Sequence, residues 1–326
     1  MKDSLRVLVV TNLWPVGDSF RGIYVKEQVE ALRRLGHHVD VEVVAQERGK
    51  ADYFLAVQRV RRIARAGRYD VVHIHYGLAA FSARFLQGVP KVLSLYGSDI
   101  NVGWQRLMTR AGMRGVGACV YVSENLAVNA GDERGHIIPD GVDFTLFVPG
   151  DRDAARKALG IAEDEKVILF GGHPDNWVKG YDVFSDVLQD LRERGIKVRE
   201  IALAQPRTPR PEVPRKFDAA DVLLFTSRKG SEGSPSVIKE ATAMGLPVVS
   251  VNVGDAVKLL DGVVDFPEPW GTDEARAKLI RLLADRVADT LAAGTRSNSR
   301  ERNRWLDAEQ VARQVVEVYR QVLSDV

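Results

Sequence analysis

The run Ser231-Glu232-Gly233-Ser234-Pro235-Ser236-Val237-Ile238-Lys239-Glu240 constrains this chain more than any other. Before it, Asp221-Val222-Leu223-Leu224-Phe225 reads as a buried strand bounded by Asp, and after it Val248 to Val251 reads as another. A loop leaving the carboxyl end of a parallel strand and feeding a helix N-terminus is where open α/β sheets bind ligands. Pro235 suits the first position of a helix and Ser234 suits its N-cap, so the pattern predicts a helix from 235. The N–H groups of Ser236 and Val237 then face the loop, where the helix dipole favours an anion such as a diphosphate. Glu232 precedes that point, and Glu240 lies roughly 6–8 Å beyond it along the axis. A carboxylate accepts hydrogen bonds from a pair of sugar hydroxyls. The same residues also fit a capped surface helix with solvated glutamates, or a two-carboxylate pair of the glycosidase kind.

Short β-branched runs alternate with helical patterns along the rest of the chain. Leu5 to Val10, Val39 to Val44, Val71 to His75, Lys91 to Leu95 and Ala118 to Val122 are strand candidates. Between the first two, Val25, Val29, Leu32 and Leu35 recur at helical spacing. The pattern restarts after Pro149, with a helix at Ala154 to Leu159, strands at Lys166 to Phe170 and Val198 to Leu203, and an amphipathic helix at Tyr181 to Arg194. Ala308 to Val322 carries an apolar stripe of Val311, Val315, Val318, Tyr319 and Val322. Two α/β blocks joined near 139–150 predict two doubly wound, Rossmann-like parallel-sheet domains facing across a cleft.

Bulk properties exclude several classes. A chain of 326 residues with 45% hydrophobic and 28% charged residues has the composition of a soluble globular protein. A formal charge of +2 argues against a dedicated nucleic-acid binder. Cys119 stands alone, so no internal disulfide or cysteine-rich metal site forms, and with no signal-like N-terminus a cytoplasmic location is expected. No Gly-x-Gly-x-x-Gly follows the first strand and no Gly-x4-Gly-Lys-Ser/Thr occurs, which removes the main support for a dehydrogenase or a P-loop NTPase. Residues 1–148 carry 19 Lys and Arg against 15 Asp and Glu, and the remainder 27 against 29. A basic N-terminal half suits a phosphorylated, acidic or lipid-linked acceptor. Arg59, Arg61, Arg62, Arg65 and Arg68 form either a solvated helix face or a peripheral contact with the inner face of a membrane.

The string from Ala219-Ala220-Asp221-Val222 through Glu232-Gly233-Ser234-Pro235, Lys239-Glu240-Ala241 and Gly245-Leu246-Pro247-Val248-Val249 resembles the C-terminal domain of the retaining family 4 glycosyltransferases, which have the GT-B fold. Further matches are Gly36-His37-His38-Val39, Ile138-Pro139-Asp140-Gly141-Val142-Asp143 and the glycines and lysine of Phe170-Gly171-Gly172-His173 to Lys179-Gly180. The resemblance implies an acceptor-side domain over 1–143, completed by the helix 308–326, and a nucleotide-sugar domain over 144–307. It implies catalytic roles for Glu232, Lys179 and His75. Gly22, Tyr96, Asp99, Gly172, His173, Ser234, Ser236, Val237 and Glu240 would bind the donor, with Glu232 near the transferred sugar and Glu240 on the ribose. It also implies transfer from a UDP- or GDP-sugar to a hydroxyl, with no cofactor and no metal, and domain closure on binding.

Three departures qualify the match. Tyr96 replaces the family's usual histidine, and the arginine that follows the glycines in relatives is missing, leaving His173, Arg228 or Lys229 as substitutes. Ala204 to Pro211 runs almost directly into Glu212, where many relatives insert a strand and helix, so the base pocket is undefined. For Asp99 a helix cap, and for Gly22 and Gly141 an ordinary turn, are alternatives, Gly141 through a positive φ. Two other functions stay open: an inactive nucleotide-sugar binding or regulatory protein, and a phosphorylase or epimerase of the same fold.

Overall fold

The computed structural model describes residues 2–17, 19–45, 47–228, 230–261, 263–264 and 272–325. Two compact units emerge, Met1–Asp143 with Leu306–Val326, and Phe144–Trp305.

The first unit holds six parallel strands, β1 (Arg6–Thr11), β2 (His38–Val43), β3 (Val71–His75), β4 (Lys91–Leu95), β5 (Ala118–Tyr121) and β6 (His136–Ile137), in the order β2-β1-β3-β4-β5-β6. Residues alternate between its two faces. Val7, Val9, Val71, Val92 and Val120 pack on one side against α1 (Ile23–Arg34) and the last helix, α14 (Ala308–Ser324), through Val25, Val29, Leu32, Val311, Val315 and Val318. Leu8, Val10, Val72, Ile74 and Leu93 pack on the other against α2 (Asp52–Gly67), α3 (Ala80–Ala83) and α6 (Glu124–Ala130). Both faces being covered is why these strands read as nearly continuous apolar runs. Between β4 and β5 the chain adds α4 (Ser98–Asn101) and α5 (Gly103–Gly112).

Gly22 and Gly141 are among the glycines of this unit fixed by close approach. Gly22 caps α1 at φ 73, and a Cβ there would lie 2.3 Å from the Leu13 carbonyl carbon. Gly141 does not take the positive φ expected of it; a Cβ would instead meet the Ala308 Cα at 2.7 Å, where Val142 bridges Asp307.

The second unit has four parallel strands, β7 (Lys166–Phe170), β8 (Val198–Ala202), β9 (Val222–Phe225) and β10 (Val248–Ser250), in the order β10-β9-β7-β8. Its helices are α7 (Arg152–Ala158), α8 (Tyr181–Glu193), α9 (Val213–Ala219), α10 (Ser236–Ala243), α11 (Ala256–Leu259), α12 (Asp273–Ala293) and α13 (Ser299–Arg302). Asp221, the residue that bounds β9, clips the sheet to α7. Its carboxylate accepts the Val167 N–H at 2.7 Å and pairs with Arg152 and the buried Arg156, each at 2.7 Å.

β6 and the 21-residue α12 carry no counterpart in the sequence reading. β6 is two residues long, too short for any periodicity to show.

Helix α14 is tied to β3 by polar contacts as well as apolar ones. His73 Nδ1 lies 2.6 Å from the Tyr319 hydroxyl and its Nε2 2.8 Å from Ser94 Oγ, all buried. Burial lowers the pKa of His73 to about 3, and burial followed by the neighbouring His73 holds His75 well below the ordinary histidine range. Tyr319→Phe should therefore strip a buried partner from His73 and destabilise this unit by about 1–3 kcal/mol, measured by denaturant unfolding. The unfolded imidazole titrates near 6.5, so as pH falls the unfolded chain takes up protons first. Stability is fully present above about pH 6.5 and should fall below it by about 1.4 kcal/mol per pH unit for each buried ring, until the folded pKa is reached. A His73→Gln variant should lose that much of the slope when unfolding is followed from neutral pH toward pH 5.

Candidate functional site

β7 and β9 are neighbours with Phe170 opposite Leu224, so the segments that follow them leave the sheet edge side by side. After β7 come Gly171 and Gly172, then a short 3-10 turn, Trp177–Lys179, capped by the Asn176 side chain accepting the Val178 N–H at 3.2 Å. After β9, Thr226 Oγ1 donates to the carbonyls of Lys179 and Gly180 at 3.1 and 3.0 Å, fastening the two loops together. The Lys179 stem lies against Gly172, where a Cβ would come within 2.7 Å of the lysine Cγ. Its ammonium passes 5.7 Å from the Phe225 ring centroid and ends 2.7 Å from Glu232 Oε1. Ser227 Oγ donates to the same oxygen at 2.9 Å. Lys179 and Glu232, both named from sequence, thus meet directly, with 24% and 14% of their side chains exposed.

The chain from Glu232 leads into α10. This helix begins at Ser236 with Pro235 as its N-cap in an extended conformation, and no side chain caps it. Ser234 is therefore not the predicted cap. Its hydroxyl instead donates to Asp255 Oδ2 at 2.5 Å, which orients the side chain toward that carboxylate, and it accepts no N–H of the helix. The first N–H groups to enter the helical ladder are those of Ile238 and Lys239, both bonded to the Pro235 carbonyl. Those of Ser236 and Val237 precede it, as N-terminal helix amides do.

Asp255 belongs to the site by position and was not singled out from sequence. Burial raises its carboxyl pKa, opposed by the charge of the fully buried Lys239 and by the Ser234 hydroxyl. Its Oδ1 is buried with no hydrogen-bond partner among the described residues. Its only sequence signal was Gly254-Asp255 after a strand, which is too common to carry weight.

Glu240 is 3% exposed and is paired with Arg210 at 2.8 Å. Arg210 comes from the shortened stretch after β8, and its guanidinium stacks 4.7 Å from the Phe147 centroid. That partner was invisible in sequence, being thirty positions away. His173 stays in its own turn, with Nδ1 accepting the Asp175 N–H at 3.2 Å. Arg228 stacks on Trp177 at 3.5 Å and pairs with Asp182 at 2.9 Å, a location on the α8 side. Lys229 lies outside the described residues.

In the first unit, His75 and Tyr96 come together: His75 Nδ1 is hydrogen-bonded to the Tyr96 hydroxyl, while His75 Nε2 is buried with no partner among the described residues. Burial pushes the Tyr96 phenol well above its ordinary pKa. Asp99 is fully buried, and its carboxylate accepts the N–H groups of Tyr96 at 3.1 Å and Gly97 at 2.8 Å. Burial raises its pKa against those bonds. It thus shapes the turn that presents Tyr96. The close packing of Gly22 on Leu13 and Trp14 accounts for glycine at that position without a ligand.

Comparisons with known proteins match both units. The model for Glycosyltransferase Family 4 covers residues 22–146, and that for Glycosyl transferases group 1 covers residues 197–285. A D-inositol 3-phosphate glycosyltransferase of Catenulispora acidiphila is 30% identical over 274 residues, 67% of this chain and 65% of that protein. One from Mycobacteroides abscessus is 31% identical over 245 residues, 61% of this chain and 54% of that protein. The chain thus spans somewhat less than two thirds of these relatives' own length. Among solved structures, sucrose-phosphate synthase from Thermosynechococcus elongatus superposes with a TM-score of 0.79 at 18% identity, covering 99% of this chain and 100% of that one. Anabaena HepE in complex with UDP-glucose gives 0.69 at 19% identity, covering 99% and 100%. Two parallel-sheet units, each matched by its own family model, and this set of relatives place the chain in family 4 of the glycosyltransferases, with the GT-B fold.

Proposed function

We propose that the protein transfers a sugar from a UDP- or GDP-sugar to a hydroxyl acceptor, with retention at the anomeric carbon and without a metal ion, in the cytoplasm. The observation that carries this reading is the Lys179–Glu232 pair, held on two fastened loops ahead of the α10 N-terminus. The donor's diphosphate takes Lys179 from Glu232, so the ammonium and the N–H groups of Ser236 and Val237 stabilise charge that develops as the bond from the anomeric carbon to phosphate breaks. The freed Glu232 accepts hydrogen bonds from the sugar. The acceptor oxygen bonds to the anomeric carbon on the face the phosphate leaves, and its proton passes to the departing phosphate oxygen. Glu240 holds the ribose, which exchanges with or adds to Arg210.

In this reading the first unit is the acceptor side, and we assign His75 the neutral tautomer protonated on Nε2, so that Tyr96 donates to Nδ1, and Nε2, without a partner among the described residues, is a donor. Its burial argues against a proton-transfer role at neutral pH. The names of the relatives and the basic balance of residues 1–148 put inositol 3-phosphate and other phosphorylated hydroxyl compounds first in an acceptor panel.

Lys179→Ala and Glu232→Ala should each lower kcat by at least about 100-fold with the fold intact. Near-normal turnover in either removes the assignment. Gly172→Ala should push the Lys179 stem aside and cost about tenfold in kcat with unchanged thermal unfolding. Glu240→Gln keeps a partner for Arg210 yet removes a charged acceptor, so it should raise the donor KM by about tenfold while kcat changes less. All four are read in a donor panel of UDP- and GDP-sugars. Donor binding without turnover on any acceptor would favour the inactive binding protein, and orthophosphate-dependent turnover a phosphorylase.

A further inference from the structure

From Tyr53 to Ser123 the chain carries ten Lys and Arg but only two acidic residues, Asp70 and Asp99. Asp70 is paired with Lys2 at 2.7 Å, and Asp99 is fully buried. Arg59 is drawn into the fold by Glu42 and Asp52, and Lys91 is buried on the Leu86 carbonyl. Arg62, Arg65, Arg68, Arg106, Arg110 and Arg114 remain exposed.

Large apolar side chains stand among these arginines. Phe54, Leu55, Phe85, Trp104 and Leu107 are all more than half exposed, with Leu55 and Leu107 at 71%. They lie on one helical layer. The Ser82 hydroxyl donates to the Tyr53 carbonyl at 2.9 Å, tying α3 to the start of α2. A Cβ on Gly112 would meet the Ala80 Cβ at 2.7 Å, so α5 packs closely on α3. Phe54 and Phe81 meet edge to face at 4.8 Å, Phe85 continues the row at 6.5 Å, and the Arg84 guanidinium lies 5.6 Å from the Phe85 ring centroid. On α5, Trp104 and Leu107 are one turn apart on a shared outward stripe, with Arg106 and Arg110 beside them.

We propose that this outer face, formed by α2, the α3 region and α5, docks on an anionic lipid membrane. Aromatic and aliphatic side chains of this kind enter the headgroup and upper acyl region, and arginines around them pair with lipid phosphates. Clustered exposed apolar groups mark interaction sites, whereas single ones are normal. The missing carboxylates match a negative surface. The arrangement suits a bilayer better than a nucleic acid, because the apolar groups include aliphatic leucines on outward helix faces, while base stacking uses aromatic platforms within a groove. Among the described residues no helix is long and apolar enough to cross a membrane, so the contact is peripheral.

The test is flotation of the whole protein with vesicles of phosphatidylcholine alone or mixed with phosphatidylglycerol, at low and high salt. Binding should appear with the anionic vesicles and weaken about tenfold or more without phosphatidylglycerol or at high salt. The double variants Trp104→Ser/Leu107→Ser and Arg62→Glu/Arg65→Glu should each reduce it by about tenfold, with unchanged thermal unfolding. Arg313→Glu, exposed on α14 across the sheet, should leave it intact. Wild-type protein that stays with neither vesicle overturns the proposal, as does equal binding by both double variants or an equal loss in Arg313→Glu. Retention on RNA or an acidic protein without vesicle binding would overturn it in favour of that partner.

Discussion

The parallel register of β7 and β9 is the constraint on which the second unit's candidate site depends. Because Phe170 stands opposite Leu224, the glycines after one strand and the Thr226–Ser227 segment after the other start at the same level. Thr226 then uses a single hydroxyl to hold the Lys179 and Gly180 carbonyls. With the backbone of the lysine pinned, its stem has one path, over a glycine that has no side chain to block it. A flexible four-carbon chain ordinarily gives up considerable rotamer entropy to hold one place. Here the loop geometry, the Phe225 ring and the Glu232 carboxylate restrict it before any ligand arrives.

Charge is handled in the same way throughout the second unit. Glu232 carries Lys179, Glu240 carries Arg210, Asp255 sits beside Lys239, and Asp221 carries two arginines. Burying an unpaired carboxylate would cost several kcal/mol, and pairing offsets that. For Asp221 the pairing is structural, with the strand N–H included. Under the proposed function, a sugar nucleotide at Glu232 and Glu240 exchanges partners with Lys179 and Arg210 in place of filling an empty site. Such an exchange narrows the gain from each contact but leaves no charge stranded in either state.

Much of this was legible in the residues. Strand runs such as Val71 to His75 and Lys166 to Phe170 appear at the stated positions because parallel strands buried on both sides are apolar for most of their length. The 232 to 240 segment announced a loop and a helix, and Lys179 was found by its glycines. What escaped were partners supplied by distant chain. Arg210 for Glu240 and Asp255 for Ser234 follow from folding and leave no local pattern. The Ser234 cap failed for that reason: its hydroxyl is turned to a carboxylate from beyond β10. Likewise the arginines of α2 looked alike in sequence, although Arg59 is held inward by two carboxylates.

The contact between Tyr319 and His73 also bears on the order in which the chain can fold. One face of the first sheet is finished only by α14, so β3 and β1 are synthesised more than two hundred residues before their cover. The second unit, a continuous stretch from Phe144 to Trp305, is complete sooner. During synthesis the first unit therefore waits with that face of its sheet covered by α1 alone and His73 short of its phenol, a half-built sheet whose completion depends on a helix made after the whole second unit.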